Sequence, residues 1–315
     1  RHTLALLTLK PGLFTHQGRE QAGRIWLDDL GVNPNNDVPT TAWLSGPPPT
    51  SARTHAQHKG SFGDVLVLGG APGMAGAALL AARAALTAGA GRVYLARLDG
   101  VIEPDPHRPE LMTRPLAQAL AIDLLQRATV VCGCGGGSVV REVLPTVLHH
   151  AAQLVLDADA LNAVAADAGL RTALRSRAAR GRPTVLTPHP LEAARLLGCS
   201  AADVQADRLT QAQSLADGLQ AIVVLKGSGS VVAAPGQTTT INPTGSARLG
   251  TGGTGDVLAG WLGGVWAQAG PLQGIEAACA SVWWHGAAAD HGPQDRPLRA
   301  ADLIEAMAAS PHPAG

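Results

Sequence analysis

The chain is poor in aromatic residues and carries no excess charge of either sign. Aromatics make up 3% of its 315 residues and charged residues 15%, with 24 basic and 24 acidic side chains. Without a basic surplus or rings to stack on, no nucleic-acid partner and no attraction to an anionic membrane are expected. A polyanionic ligand would have to be held by local geometry, by glycine loops and helix N-termini. Cysteine is also scarce, with four residues at 132, 134, 199 and 279. That is no disulfide framework for a chain of this length. Cys132 and Cys134 are too closely spaced for a structural zinc pair, so both read as small buried side chains beside a glycine turn. No apolar run reaches the roughly 18–20 residues that cross a bilayer, and no signal-peptide pattern is present. The first residue is Arg1 rather than Met. A cytoplasmic location is therefore expected.

Glycine (38) and proline (22) are abundant, as in a chain with many tight turns. Residues 1–35 read as two short strands, Thr3–Leu9 and Arg24–Asp28, joined through a Lys-Pro-Gly turn. They are too few to bury a core of their own. Residues 36–58 have linker composition, including a Gly-Pro-Pro-Pro stretch at 46–49. From Lys59 to about residue 310 apolar strands alternate with helices. Strands are expected at Asp64–Leu68, Arg92–Ala96, Thr129–Cys132, Gln153–Leu156, Thr184–Leu186 and Ile222–Leu225, with a hairpin over 229–241. Helices are expected at 75–88, 116–127, 139–149, 159–167, 190–197, 203–217, 254–268, 273–290 and 300–308. This alternation predicts an α/β fold, a mostly parallel sheet covered by helices on both faces. Ligands bind such sheets where strand C-termini meet helix N-termini.

The most informative segment is Asn242–Gly260, NPTGSARLGTGGTGDVLAG. Glycines at 250, 252, 253 and 255 crowd a loop that runs straight into an apolar helix, so backbone N–H groups and the helix dipole should hold an anion there. Asp256 lies in the first turn of that helix. A carboxylate in this place suits capping, and it equally suits a base that takes a proton from an attacking hydroxyl. No G-x-x-x-x-G-K-[ST] motif follows the first strand, so this is not a P-loop. Lys226–Ser230 (KGSGS) closes a strand with a lysine and two glycines. His189 stands between two prolines after another strand, and Asp157, Asp159, Asn162 and Glu192 lie at neighbouring strand ends.

Gly-Thr-Gly-Asp opening a late helix, after a strand ending in Leu225-Lys226-Gly227, resembles the ribokinase-like superfamily. That resemblance implies a three-layer sandwich with an anion hole of glycines and with Asp256 as base. Further segments narrow it: KGSFGDVLVLGG…MAGA from Lys59 to Ala77, PELM at Pro109–Met112, LDADALN at Leu156–Asn162 and TPHPLE at Thr187–Glu192. In combination they look like the ADP-dependent NAD(P)H-hydrate dehydratase family, over about residues 55–308. The resemblance implies dehydration of the S epimer of NAD(P)H hydrate, with ADP as phosphoryl donor and AMP and phosphate as products. Mg²⁺ would shield the nucleotide phosphates. Gly76, Ala77, Gly135, Gly137, His189 and Asp256 would contact the hydrate. Lys226, Gly227, Ser228, Gly229, Ser230, Gly253, Thr254 and Gly255 would contact the nucleotide. Asp159 and Asn162 would position substrate or a magnesium-bound water, and Glu192 would cap its helix or support the metal.

Two departures stand out. Gly133–Gly137 (GCGGG) occupies the place of a usual Gly-Pro-Gly-Leu-Gly, with Cys134 for Pro and Gly136 for Leu. Leu191 stands where the family prefers Gly. Residues 1–35 look like the last strands of the NAD(P)H-hydrate epimerase domain often fused ahead of the dehydratase, and a homo-oligomer such as a tetramer is implied. The competing readings are a hydroxymethylpyrimidine or hydroxyethylthiazole kinase of the same superfamily, and an idle adenine-nucleotide sensor.

Overall fold

The computed structural model describes residues 1–32, 39–49, 53–269, 274–292 and 296–309. Residues 36–38 and 50–52 of the expected linker lie outside the described residues, as do 33–35, 273 and 310 at the margins of other expected segments. The N-terminal part forms β1 (His2–Leu6), a 3-10 turn (Pro11–Leu13), α1 (His16–Ala22) and β2 (Arg24–Asp28). β1 and β2 pair in parallel as a separate two-stranded sheet. Helix α1, in a stretch where only a connecting turn was expected, supplies the crossover that a parallel pair needs. β3 (Ala42–Leu44), within the segment of linker composition, joins the edge of the main sheet beside β12 (Thr239–Ile241).

Among the described residues that main sheet has ten strands. Its other members are β4 (Asp64–Gly69), β5 (Arg92–Arg97), β6 (Met112–Thr113), β7 (Ala128–Cys132), β8 (Gln153–Leu156), β9 (Thr184–Leu186), β10 (Ile222–Leu225) and β11 (Val231–Ala233). The order is β3-β12-β11-β10-β9-β8-β7-β4-β5-β6, and every pairing is parallel except the two made by β11. Alternate residues of β4 face opposite layers, as strand geometry requires. Leu66 and Leu68 join the core under α3 (Leu116–Ala119), α4 (Ile122–Arg127), α5 (Val140–His150), α6 (Ala158–Ala166), α7 (Ala168–Ala179), α8 (Pro190–Leu197), α9 (Ala201–Ala206) and α10 (Arg208–Leu219). Val65 and Val67 join the core under α2 (Ala75–Thr87), α11 (Thr254–Gln268) and α12 (Gly274–His291). α13 (Ala300–Ala309) packs outside α2 and α12.

Two helical expectations need correction, and one helix was not expected. The helix expected at 116–127 is two helices, because Ala121 turns extended with ψ 133. The helix expected at 203–217 is broken at Asp207, whose carboxylate accepts the Thr210 N–H and starts α10. Helix α7 was not foreseen; it is polar along much of its length and begins on Asp167, which accepts the Leu170 N–H. Among the described residues no helix is long and apolar enough to cross a membrane.

Candidate active site

The site lies where the chain reverses direction across the sheet, at the C-terminal ends of β4, β7, β8, β9 and β10. Past the strands the backbone continues the ladder. Gly133 N–H bonds to Leu68 O (3.0 Å), Asp157 N–H to Cys132 O (3.1 Å), Thr187 N–H to Leu156 O (3.1 Å) and Lys226 N–H to Pro188 O (2.8 Å). This register brings Cys134, Asp157, Thr187 and Lys226 to the same end of the sheet. Glycine is required at 133, where φ is +118° and a Cβ would stand 2.0 Å from the Asp157 carbonyl oxygen.

Asp157 is 2% exposed, and its Oδ1 accepts hydrogen bonds from Lys226 Nζ (2.7 Å) and Thr187 Oγ1 (2.7 Å). It begins α6 but makes no side-chain cap there, and Ala158 after it is held at φ +48°. Glu192 Oε2 lies 4.0 Å from the same ammonium and accepts the His189 N–H at 2.8 Å. Burial alone would lower the Lys226 pKa, but Asp157 and Glu192 hold it above the ordinary lysine value. Burial pushes the Glu192 carboxyl up. One cation thus serves two buried carboxylates.

Asp256 enters the same cluster from α11. Burial, and then repulsion from Asp157, raise its pKa to about 6, while the Cys134 thiol hydrogen-bonds the carboxylate and opposes the rise. The Cys134 thiol is buried and pushed well above its ordinary value, so it stays a neutral donor. Asp256 lies in the first turn of α11, whose cap position is Gly253 at φ +92°, so its carboxylate can interact with the helix dipole as well as act as a base. The first-turn N–H groups of Gly255 and Asp256 have no intrahelical carbonyl to bond. Thr254 Oγ1 is turned inward to Leu249 O (2.7 Å) and Thr251 O (2.9 Å), which fixes the loop. A Cβ on Gly255 would come 3.4 Å from Lys226 Nζ, so the anion loop and the lysine face one another.

A second glycine set adjoins this cluster. The loop after β4 is tied to the loop after β7 by Gly70 N–H to Cys134 O (3.0 Å) and Ala71 N–H to Gly135 O (2.7 Å). Gly135 and Gly137 have φ +58° and +54°. Gly76 and Ala77 lie in the first turn of α2, which also lacks a side-chain cap, and a Cβ on Gly135 would be 2.8 Å from that of Ala77. Asp159 Oδ2 accepts the Gly137 N–H at 2.8 Å, so this carboxylate braces the loop. Asn162 is engaged elsewhere, accepting from Arg195 Nη1 at 2.7 Å.

His189 caps α8. Its Nδ1 accepts the N–H groups of Leu191 (3.1 Å) and Glu192 (3.3 Å), which places the ring proton on Nε2, 3.3 Å from Glu192 Oε1. Burial and then Lys226 lower its pKa, so the ring is neutral, and it is half-exposed at the rim. In the Lys226–Ser230 loop, Gly227 and Gly229 have φ +138° and +66°. Arg208, buried and outside the expected set, donates to Leu225 O (3.0 Å), Lys226 O (3.1 Å) and Gly229 O (3.3 Å). His285 was also missed: its Nε2–H donates to Thr254 O (2.9 Å), and burial lowers its pKa to about 4. A polar residue within an apolar helix was the only available signal for His285, and nothing local announced Arg208.

Cys134 Sγ and single oxygens of Asp157 and Asp256 lie within 4.8 Å of one another. The carboxylates suit a hard cation such as Mg²⁺, and the thiol does not. Lys226 and Thr187 already occupy Asp157 Oδ1, which leaves Oδ2 as the oxygen free for such an ion.

Comparison with known proteins gives the family. Residues 65–310 match the family model described as NAD(P)H-hydrate dehydratase. The chain is 37% identical over 306 residues to the bifunctional NAD(P)H-hydrate repair enzyme Nnr of Escherichia coli, an alignment that takes in 92% of this chain and 56% of that protein. It is 43% identical over 247 residues to the ADP-dependent (S)-NAD(P)H-hydrate dehydratase of Neisseria meningitidis, covering 76% of this chain and 80% of that one. The ADP/ATP-dependent NAD(P)H-hydrate dehydratase of Bacillus subtilis, co-crystallised with ATP and Mg²⁺, superposes with a TM-score of 0.66 at 29% identity, covering 82% of this chain and 92% of that one. A ribokinase-like protein from Enterococcus faecalis (TM-score 0.66, 23% identity, 82% of this chain and 89% of that one) shares the fold. The chain thus spans little more than half the length of its bifunctional relative.

Proposed function

Because the chain belongs to the NAD(P)H-hydrate dehydratase family, we propose that it restores NAD(P)H from the S epimer of its hydrate, with ADP as the phosphoryl donor. The ring hydroxyl attacks the β-phosphorus of ADP and AMP departs. The ring nitrogen's lone pair then expels inorganic phosphate from C6, and loss of a C5 proton to solvent restores the C5–C6 double bond of the dihydronicotinamide. Asp256 accepts the hydroxyl proton in the first step. The first-turn N–H groups of α11 and the Gly250–Gly255 loop receive the charge of the transferring phosphoryl group.

The observation that carries this reading is the state of Asp256, a carboxylate with pKa raised to about 6 at an uncapped helix N-terminus. A base poised there is ionised at neutral pH and still basic enough to take a proton. Lys226 faces the anion loop, close enough to steady a phosphate, and the Lys226–Ser230 segment supports the nucleotide. Gly76, Ala77, Gly135, Gly137 and His189 are proposed to receive the hydrate. Mg²⁺, when bound, neutralises phosphate charge, and Asp157 Oδ2 together with the nucleotide phosphates would hold it. The ADP-dependent relative supports the choice of donor. The bifunctional relatives, similar over 92% and 96% of this chain, support the terminal strands as the end of an epimerase domain.

The test follows the dihydronicotinamide absorbance band as it returns from chemically prepared NADH hydrate, with ADP, ATP or neither, for the wild type and Asp256→Asn. Recovery that requires nucleotide and falls by about 10²–10⁴-fold in the variant is expected, the range for loss of a positioned base. Equal recovery by wild type and variant would refute the assignment of the base. No recovery from a folded chain that binds ADP would refute the reaction and favour a small-molecule kinase.

A further inference from the structure

The N-terminal segment is bound to the nucleotide end of the site by contacts that the dehydration chemistry does not use. Arg19, half-buried on α1, donates through Nη2 to Pro243 O (2.5 Å) and Gly245 O (2.6 Å), and through Nη1 to Thr244 O (3.3 Å). These carbonyls belong to the turn that leads into the anion loop. From within, Asn242 braces the same turn, accepting from the Thr244 hydroxyl (3.0 Å) and donating to Thr244 O (3.2 Å). Asp290 Oδ2 accepts the Gly245 N–H at 2.7 Å.

At the N-terminus of α1 the chain presses on the Lys226–Ser230 loop. His16 N–H donates to Ser228 O (2.9 Å), and Ser228 Oγ donates back to His16 O (3.2 Å). A Cβ on Gly229 would stand 1.9 Å from Phe14 O, so the backbones are in direct contact. Arg208 ties the inner side of this loop and residues 14–16 tie its outer side. One short helix and the residues just before it thus bridge a loop assigned to the nucleotide and the turn that leads into the anion loop. Three donated bonds from one guanidinium to adjacent carbonyls fix a turn more firmly than packing alone.

We propose that α1 is part of the frame of the nucleotide site, and that Arg19 is a positioning residue that sets ADP affinity by holding the 243–245 turn in register with the 226–230 loop. The inference rests on the nucleotide assignment made above. Without Arg19 the turn keeps only its inner bonds to Asn242 and Asp290, part of its ordering falls on the nucleotide as it binds, and that cost weakens binding. The chemical step, carried by Asp256 and α11, is left intact.

The experiment measures ADP affinity by calorimetry, and KM and kcat for ADP and for the hydrate separately, in the wild type, Arg19→Ala, Arg19→Lys and Arg24→Ala. Arg24 is exposed on β2 and stacks over Trp26, away from both loops. In Arg19→Ala the ADP Kd and KM should rise about tenfold, the scale for ordering one or two loop residues on binding. The kcat and the hydrate KM should stay within about twofold, and Arg24→Ala should match the wild type. Arg19→Lys should recover part of the loss, because an ammonium can still donate to these carbonyls. If Arg19→Ala does not fold, Arg19→Lys carries the same test, with an ADP KM about threefold above wild type. An unchanged ADP KM in a folded variant overturns the inference, as does an equal fall in every parameter. A wild-type chain that binds no ADP overturns the functional reading itself, a failure distinguishable from the others.

Discussion

Replacing Asp256 by Asn should cut activity by about 10²–10⁴-fold and at the same time stabilise the fold, with a gain that depends on pH in a defined way. The Asp256 pKa stands at about 6 against an ordinary value of 3.8. A carboxyl raised on folding binds its proton more tightly in the native state, so its ionised form opposes folding. Between the ordinary value and about 6 the native state retains a proton that the unfolded chain has released. Above about 6 both states are ionised, and the full cost falls on the native state. At roughly 1.36 kcal/mol per pKa unit that cost is about 3 kcal/mol as an upper bound. Partial solvation and rearrangement around Asn bring the expected gain nearer 1–2 kcal/mol. Asn is nearly isosteric and can still accept from the Cys134 thiol. Urea unfolding of wild type and Asp256→Asn should therefore show the variant more stable at pH 8, with the difference shrinking as pH falls and absent near pH 4. A variant equally stable or less stable at pH 8, or a gain that grows toward acid, would refute the claim that burial and Asp157 strain this carboxylate.

The remaining predictions concern the same cluster. Since the base must be ionised, kcat/KM for dehydration should fall as pH drops through about 6; a profile flat down to pH 5 would exclude Asp256 as the base. Lys226→Met removes the ammonium 2.7 Å from Asp157, which is 2% exposed, and leaves that carboxylate buried without its cation. The loss should be about 3 kcal/mol, at the low end for a broken buried pair because Thr187 still donates. Adding Asp157→Asn should restore most of it, as read by denaturant midpoints. A loss below about 1 kcal/mol would show the pair to be solvated.

How far the sequence spoke depended on whether the signal was local. Strands Gln153–Leu156, Thr184–Leu186 and Ile222–Leu225 lie at their expected bounds because each is a short apolar run between turn residues. Helix Pro190–Leu197 does too, announced by proline at its first position and ended at Gly198, φ +74°. The break at Ala121, where ψ turns to 133, carries no glycine or proline, so periodicity ran through it. β3 is three residues long and exists because the exposed edge of β12 accepts it in parallel. In the site, the glycine loop and Asp256 were legible because they are contiguous. The Lys226–Asp157 pair joins residues 69 apart, and the Arg19 bonds span more than 220. Only the strand order creates such contacts.

Cys134 shows how tertiary context changes the meaning of a residue. Read locally, it is a small apolar side chain in a glycine turn, and by resemblance it stands where a proline is usual. In the fold it meets two carboxylates, Asp157 and Asp256. Burial first, and then the Asp256 charge, push its pKa well above the ordinary value, so the sulfur remains a thiol. A proline in that position has no side-chain donor, whereas the thiol supplies one to Asp256, lowering a pKa that burial and Asp157 would carry still higher. The same substitution keeps the backbone bond from Gly70 N–H to the residue-134 carbonyl (3.0 Å), so the turn does not depend on the ring. The departure from the usual pattern therefore bears on the ionisation of Asp256 and not on the shape of the loop. It works against the raised pKa on which both the stability prediction and the acid limb of the pH profile depend.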